Sequence, residues 1–298
     1  MTDNSVSAKS DQNQPRIAVV GDIMVDVDLH CTAERLCQEG PWPVLRVKKE
    51  TRRMGGAGNV LEMLFALNAK AILLGIVGQD DHKSLPASGS MTGWSISAGP
   101  TTTKTRCWVN GNLTGPRLDI DNRTVATQQI ADAWERVLKT WQPDAVIVAD
   151  HGKGVVSREV MQMLMGIGIP VFVDPVQSTP SPGESYPAAI IGHDHEMPAW
   201  NWARCECVVT KRGADGLQWV NNQQAGSMPS RCRALIDPLG AGDQFIAALA
   251  YQRALGQSWQ QSIEWANVAA GMQCERSGCV PVTADEITQR TFQPRGSK

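Results

Sequence analysis

The sequence predicts an α/β fold built on a mainly parallel sheet, and three kinds of segment predict it. Short apolar, β-branched runs recur at residues 16–22, 71–78, 145–150, 170–175 and 206–211. Such runs read as strands buried on both faces, the habit of a parallel sheet covered by helices. Between them lie stretches with helical spacing at 59–67, 130–141, 160–165 and 245–250. Three of the strand runs reach a carboxylate near their ends, at Asp22, Asp150 and Asp174. Ligands of open α/β sheets gather at the carboxyl ends of strands, so these aspartates, with Asp26 just beyond the first, are candidate ligand contacts.

A chain of 298 residues can form one large α/β domain or two small ones. With 28 basic and 30 acidic residues the net charge is −2, which gives no general attraction to nucleic acid or to an anionic membrane. No apolar run reaches the roughly 18 residues of a membrane span. Residues 1–14 are polar, without the apolar core of a secretory signal, and are expected to form a disordered tail. Residues 293–298 are expected to be a second tail, leaving 15–292 as one domain. The eight cysteines are scattered and form no CxxC pair, so reduced thiols in the cytoplasm are expected. Cys205 and Cys207, at spacing two, are expected to share one face of a strand and to pack there.

Taken in order, the first strand run at 16–22 ends in Gly-Asp. Pro41 and Pro43 hold an extended segment leading into a strand at 44–47. Gly55 and Gly56 permit close backbone approach, and Asn59 is expected to start a helix carrying Val60, Leu64 and Leu67. The run at 71–78 reads as one buried strand. The glycine, serine and proline of 85–93 leave little room for a full helix. Residues 103–113 alternate around Asn110-Gly111, a strong hairpin turn signal, with Lys104 and Arg106 on one face. Two basic residues so placed suit a phosphate group, and equally suit a charged strand edge that resists aggregation. The methionines of 160–165 are read as core.

The stretch at 235–250 carries the densest chemistry. A short apolar approach meets Asp237-Pro238, then Gly240-Ala241-Gly242-Asp243, then the alanine-rich helical run. Small residues opening a helix expose N–H groups that, with the helix dipole, hold an anion. A carboxylate in the same turn can take the proton of a hydroxyl while those N–H groups hold a transferring phosphoryl group. Taken alone, the same residues read as a glycine turn with Asp243 as the helix N-cap.

These motifs, in this order, resemble those of the ribokinase-like (PfkB) sugar kinases. Asp237-Pro-Leu-Gly-Ala-Gly-Asp243 is similar to that family's Asp-Thr-Thr-Gly-Ala-Gly-Asp, with Pro238 and Leu239 replacing the threonines. Residues 20–26 resemble its Gly-Asp-x-x-x-Asp, and residues 55–59 its Gly-Gly-x-x-x-Asn. Glu39-Gly-Pro-Trp-Pro-Val44, the Thr-Lys-x-Arg of 103–106 and Asp150-His-Gly-Lys-Gly154 are similar to the kinase half of bifunctional ADP-heptose synthases, with His151 in place of a tyrosine. The resemblance implies a three-layer α/β/α domain with a β-lid from about 28–52 and 101–120, paired with a second lid in a homodimer.

It implies, further, a carbohydrate kinase that uses ATP and Mg²⁺. Asp243 would be the base, and Gly240, Ala241 and Gly242 the anion hole. Asp22, Asp26, Glu39, Gly55, Gly56, Asn59, Lys104, Arg106 and Asp150 would hold the sugar. Asp174, Lys211, Gly213, Gly216, Asp237 and Asn267 would line the nucleotide, and Glu196 would organise magnesium. Two departures bear on the nucleotide side: Val176 stands where the relatives have lysine, and His193 where they have asparagine. The implied substrate is a heptose 7-phosphate, phosphorylated at the anomeric oxygen. The alternatives are a kinase for another sugar or nucleoside, and a ligand-binding homologue that has lost turnover.

Overall fold

The computed structural model describes residues 14–80 and 95–291. The expected tails lie outside the described residues, except for Gln14, and so does the stretch 85–93. Gln14 donates to Asn68 at 2.7 Å. In chain order the strands are β1 (Arg16–Gly21), β2 (Ile23–Leu36), β3 (Pro43–Gly56), β4 (Lys70–Leu74), β5 (Ile76–Val77), β6 (Ser95–Ile96), β7 (Thr103–Val109), β8 (Asn112–Ile120), β9 (Ala145–Ala149), β10 (Val171–Asp174), β11 (Ala189–Gly192), β12 (Cys207–Lys211), β13 (Leu217–Asn221) and β14 (Ala225–Met228). The helices are α1 (Ala57–Ala66), α2 (Gln128–Trp141), α3 (Arg158–Gly166), α4 (Ala241–Ala254), α5 (Trp259–Gln273) and α6 (Ala284–Thr291).

An eight-stranded sheet, ordered β14-β13-β12-β11-β10-β9-β1-β4, forms the middle layer. Its strands from β4 to β12 pair in parallel, and β13 and β14 add an antiparallel edge. The parallel strands are almost wholly buried, as their unbroken apolar sequences require. On one face α1, α4 and α5 pack with Ile17, Val19, Leu73 and Ile147; on the other α2 and α3 pack with Ala18, Val20, Ile72 and Val148. Alternate residues of one strand thus feed two cores.

A second, four-stranded sheet, ordered β3-β2-β7-β8, stands off the first. It springs from the carboxyl end of β1, and β3 returns directly into α1. Its last connection is a two-residue turn in which Asn110 and Gly111 both adopt positive φ, as their sequence predicts.

Three local expectations need correction. The run 71–78 is split: β4 ends at Leu74, and β5 pairs instead with β6. The break is at Gly75, where a Cβ would stand 2.6 Å from the Ile23 side chain and 2.8 Å from the Gly21 carbonyl oxygen. Asn59 does not start α1, because the helix begins at Ala57 with Gly56 as its N-cap. Cys205 and Cys207 do not share a face: Cys207 opens β12 and joins the α4–α5 side, whereas Cys205 precedes the strand and packs on the α2–α3 side.

β1 pairs with β4 on one side and β9 on the other, so the strand order reverses around it, and a crevice opens at its carboxyl end. The closeness of that junction depends on Gly21, whose Cβ would stand 2.2 Å from the Ala149 carbonyl oxygen. Gly21→Ala is expected to cost about 1–3 kcal/mol, the usual cost of overpacking. Urea unfolding monitored by tryptophan fluorescence checks this.

Candidate active site

Helix α4 points its N-terminus into the crevice. Its N-cap, Gly240, sits in the left-handed region at φ 78°, and no side chain caps the helix. The first-turn N–H groups of an α-helix have no intrahelical partners, so Gly242 and Asp243 present donors with the positive end of the helix dipole behind them. A side chain at Gly240 would meet the Cys279 sulfur at 2.9 Å and the Asn59 amide nitrogen at 3.3 Å. Glycine is therefore required there by both backbone and space.

Asp243 lies in the first turn rather than at the N-cap. Asn59, in the first turn of α1, donates through Nδ2 to Asp243 Oδ2 at 2.6 Å. Removal from water raises the Asp243 pKa, and the nearby His151 imidazole, the Asn59 hydrogen bond and Lys211 oppose that rise. The result is a carboxylate of raised basicity held in one orientation beside an anion hole.

One face of the four-stranded sheet supplies charge to the same place. Asp26 is level with Arg53 on β3 and with Lys104 on β7, so all three point the same way, as do Asp28 and Arg106. Arg106 Nη1 donates to Asp26 Oδ1 at 2.9 Å, and Arg53 Nη1 to Asp28 Oδ2 at 2.5 Å. Gly55 makes room for this cluster: a Cβ there would lie 2.9 Å from Asp26 Oδ2. Lys104 is half-buried and makes no hydrogen bond or ion pair among the described residues, and removal from water lowers its pKa. Cys279 faces this cluster and Asp243 together, and burial pushes its thiol up to about 11.

The structure gives four of the sequence candidates other tasks. Asp22 is 1% exposed, and its carboxylate accepts from the backbone N–H groups of His151, Lys153 and Val155 at 2.8, 3.0 and 3.1 Å. It fastens the loop after β9 and is closed off from solvent. Asp150 is likewise enclosed, accepting from Gly152 N at 2.9 Å and Thr179 Oγ1 at 2.6 Å. Asp237 accepts from Leu239 N and Gly278 N, so it shapes the loop into α4. Glu39 is exposed in the connection between β2 and β3, past Leu36. The base of that hairpin is the Ile23–Gly56 pair, and thirteen residues of strand at about 3.3 Å each separate the two ends. Glu39 therefore lies far from Asp243 of its own chain.

On the other side of α4 opens a cavity of ≈ 750 Å³, lined by Lys211, Gly213, Gly216, Gly242 and Asn267 among others. Lys211 Nζ bonds Asp174 Oδ1 at 3.1 Å and stands 3.5 Å from Glu196 Oε2. Burial lowers the Lys211 pKa, but Asp174 and Glu196 more than offset it, and the ammonium keeps its charge. A Cβ at Gly242 would lie 3.3 Å from Lys211 Nζ, which puts this cation at the mouth of the anion hole. Asn267 spends its amide on the Pro229 carbonyl, holding the loop that walls the cavity. Ala241 completes the wall beside Gly242.

The sequence assigns no role to three residues of the crevice: Arg53 and Cys279, and His151, which it marks only as standing in place of a tyrosine. Arg53 is brought in by strand register, and the other two by loops that fold over the crevice.

Comparison with known proteins gives a consistent picture. Residues 197–285 match the family described as pfkB family carbohydrate kinase. The chain is 30% identical over 319 residues to the bifunctional protein HldE of Caulobacter vibrioides, covering 94% of this chain and 64% of that protein. It is 28% identical over 303 residues to the bifunctional protein HldE of a Nitratiruptor species, covering 93% and 65%. The chain thus spans just under two thirds of the length of these relatives. Among solved structures, Arabidopsis thaliana ribokinase complexed with ribose and ATP matches with a TM-score of 0.70 at 16% identity, over 94% of this chain and 100% of that one. Burkholderia thailandensis nucleoside kinase in complex with inosine matches with a TM-score of 0.67 at 19% identity, over 95% and 99%. The fold is ribokinase-like.

The raised pKa of Asp243 has a consequence for stability. Below the unfolded value of 3.8 both states hold the proton, and the group does not affect folding. As pH rises from 3.8 toward the raised folded value the unfolded state releases its proton first and stability falls, and above the folded value the full cost of the desolvated charge is present. Asp243→Asn removes that cost. The variant is expected to melt above the wild type at pH 7–8, with the gain vanishing toward acid. Thermal melts across pH check it.

Proposed function

We propose that this chain, whose residues 197–285 match the pfkB family of carbohydrate kinases, transfers the γ-phosphoryl group of ATP to a hydroxyl of a phosphorylated sugar, the anomeric hydroxyl of a heptose 7-phosphate first among them. The observation that carries the substrate class is Lys104. Lys104 is half-buried on the charged face of the lid beside Arg106 and Arg53, feels Asp26 and Asp119 only at a distance, and makes no hydrogen bond or ion pair among the described residues, so an anion that met it would offset the cost of its burial. A sugar whose reacting end lies at Asp243 would present its phosphate to that face.

Each residue then has a task. Asp243 takes the hydroxyl proton, with Asn59 fixing its orientation. The free N–H groups of Gly242 and Asp243, in the turn that Gly240 and Ala241 shape, hold the charge of the group in flight. Asp26 positions Arg106 and Arg53. ATP is assigned to the cavity between Gly213, Gly216 and Asn267, with its phosphates toward α4. Lys211 supplies a cation beside Gly242, which supports turnover despite Val176.

Magnesium would arrive with the nucleotide. Among the described residues no group of three or more His, Cys, Asp or Glu could hold a metal. Mg²⁺ takes one or two carboxylates together with phosphates and water, and Glu196 at the cavity wall fits that part.

A homodimer through the lid is also proposed. Leu118 and Ile120, on one face of the edge strand β8, are each 55% exposed, and Trp42 at the hairpin end is 68% exposed. The occupant inferred for them is the lid of a second copy. Among the described residues no helix is long and apolar enough to cross a membrane.

Two expectations follow. In a coupled ADP-release assay with Mg²⁺ over a panel of sugars and sugar phosphates, a heptose 7-phosphate should be turned over. Lys104→Met should raise its KM about 10–100-fold, the worth of one charge-assisted hydrogen bond, while leaving KM for ATP in place. Selective turnover of neutral sugars or nucleosides, indifferent to Lys104, would contradict the substrate class, and no turnover on any member would favour the ligand-binding homologue. In light scattering after gel filtration, the wild type should run as a dimer and Leu118→Asp/Ile120→Asp as a monomer. A monomeric wild type would contradict the proposed interface.

A further inference from the structure

His151 follows Asp150 on the loop after β9, and Asp22 locks its backbone through the N–H bond at 2.8 Å. Its position is therefore fixed by the buried clamp. The ring edge lies against the glycine turn: a Cβ at Gly56 would stand 3.1 Å from His151 Cδ2. On another side the imidazole is close enough to Asp243 to oppose the rise in that carboxyl's pKa. Nε2, the nitrogen next to Cδ2, is buried and has no hydrogen-bond partner among the described residues. A ring nitrogen removed from water and left unpaired is an expense that folded proteins avoid unless something else meets it. This nitrogen is fixed between the turn expected to hold a sugar and the expected base.

We infer that His151 is a specificity-determining residue whose Nε2 forms a hydrogen bond with a hydroxyl of the acceptor sugar, next to the one that Asp243 deprotonates. The inference rests on the kinase reading above and adds to it a contact that selects among sugars. Gly56 supplies the opening, since any side chain there would press on the ring and on the Asp22 carbonyl oxygen, 2.4 Å from its Cβ. The ring's ability to both donate and accept suits a hydroxyl, which does the same. An acceptor lacking that hydroxyl leaves the nitrogen unpaired in the complex, which is how a polar site rejects a deoxy analogue.

The test compares wild type, His151→Phe and His151→Gln in the full chain. The probes are D-glycero-β-D-manno-heptose 7-phosphate and a non-hydrolysable ATP analogue, each titrated by calorimetry. His151→Phe keeps a flat ring without nitrogen, and His151→Gln restores a polar group of similar reach. The expected result is a tenfold or greater loss of affinity for the sugar phosphate in His151→Phe. Nucleotide affinity should stay unchanged and most of the loss should be recovered in His151→Gln. Equal sugar affinity in all three proteins overturns the inference, as does a parallel loss for both ligands with a lowered melting temperature. If the wild type binds a different member of the sugar panel, the same comparison is made with that sugar, and the heptose assignment alone fails. If it binds the nucleotide and no sugar, both readings fall.

Discussion

The uncapped N-terminus of α4 is the constraint on which the site depends. A helix of fourteen residues ends in the crevice with its first-turn N–H groups unsatisfied by any side chain. That arrangement is stable only if the groups meet water or an anion. Gly240 must be glycine, because its φ is positive and because Cys279, Met63 and Asn59 crowd the place a Cβ would take. Asp243 sits in that first turn, partly out of water, and is held in aim by an amide from a different helix. A carboxylate and an anion hole thus share one turn, so a hydroxyl and a phosphoryl group can be held side by side.

Around that turn the buried charges are sorted into two kinds. Asp22, Asp150 and Asp237 are consumed by backbone and hydroxyl donors, and they make the loops rigid. Asp26 and Asp28 are paired with Arg106 and Arg53 across the lid sheet, leaving Lys104 as a cation without a partner among the described residues. On the opposite side Lys211 is shared between Asp174 and Glu196 and lies close to Gly242. The crevice therefore has a lid face with an excess of one positive charge at one end, an ammonium shared by two carboxylates at the other, and the Asp243 carboxylate between them.

Much of this was legible in the sequence, for physical reasons. Buried parallel strands write themselves as unbroken apolar runs, and the glycine turns before α1 and α4 are forced by close approach, so both could be read directly. Gly75 was missed as a strand break because one glycine in an apolar run signals nothing about what crowds it. Asp22 was read correctly as sitting at a strand end, but its partners lie 129 residues or more away on another loop. A carboxylate saturated by N–H groups and one open to a ligand look the same in sequence. Arg53 and Cys279 carry no motif of their own, and His151 stands in its motif only as a departure from it. They reach the crevice only because register, a clamped loop and the segment after α5 bring them there.

The central claim is that Asp243 acts as the base for phosphoryl transfer at the α4 turn, and a single-turnover measurement tests it most directly. Wild type, Asp243→Asn and Asp243→Ala would be loaded with radiolabelled ATP and Mg²⁺ and mixed with excess heptose 7-phosphate, following label in the sugar product. The account predicts that both variants bind nucleotide as the wild type does and transfer about 10²–10⁴-fold more slowly, the usual loss of a general base. Transfer by Asp243→Asn within tenfold of the wild-type rate would contradict it.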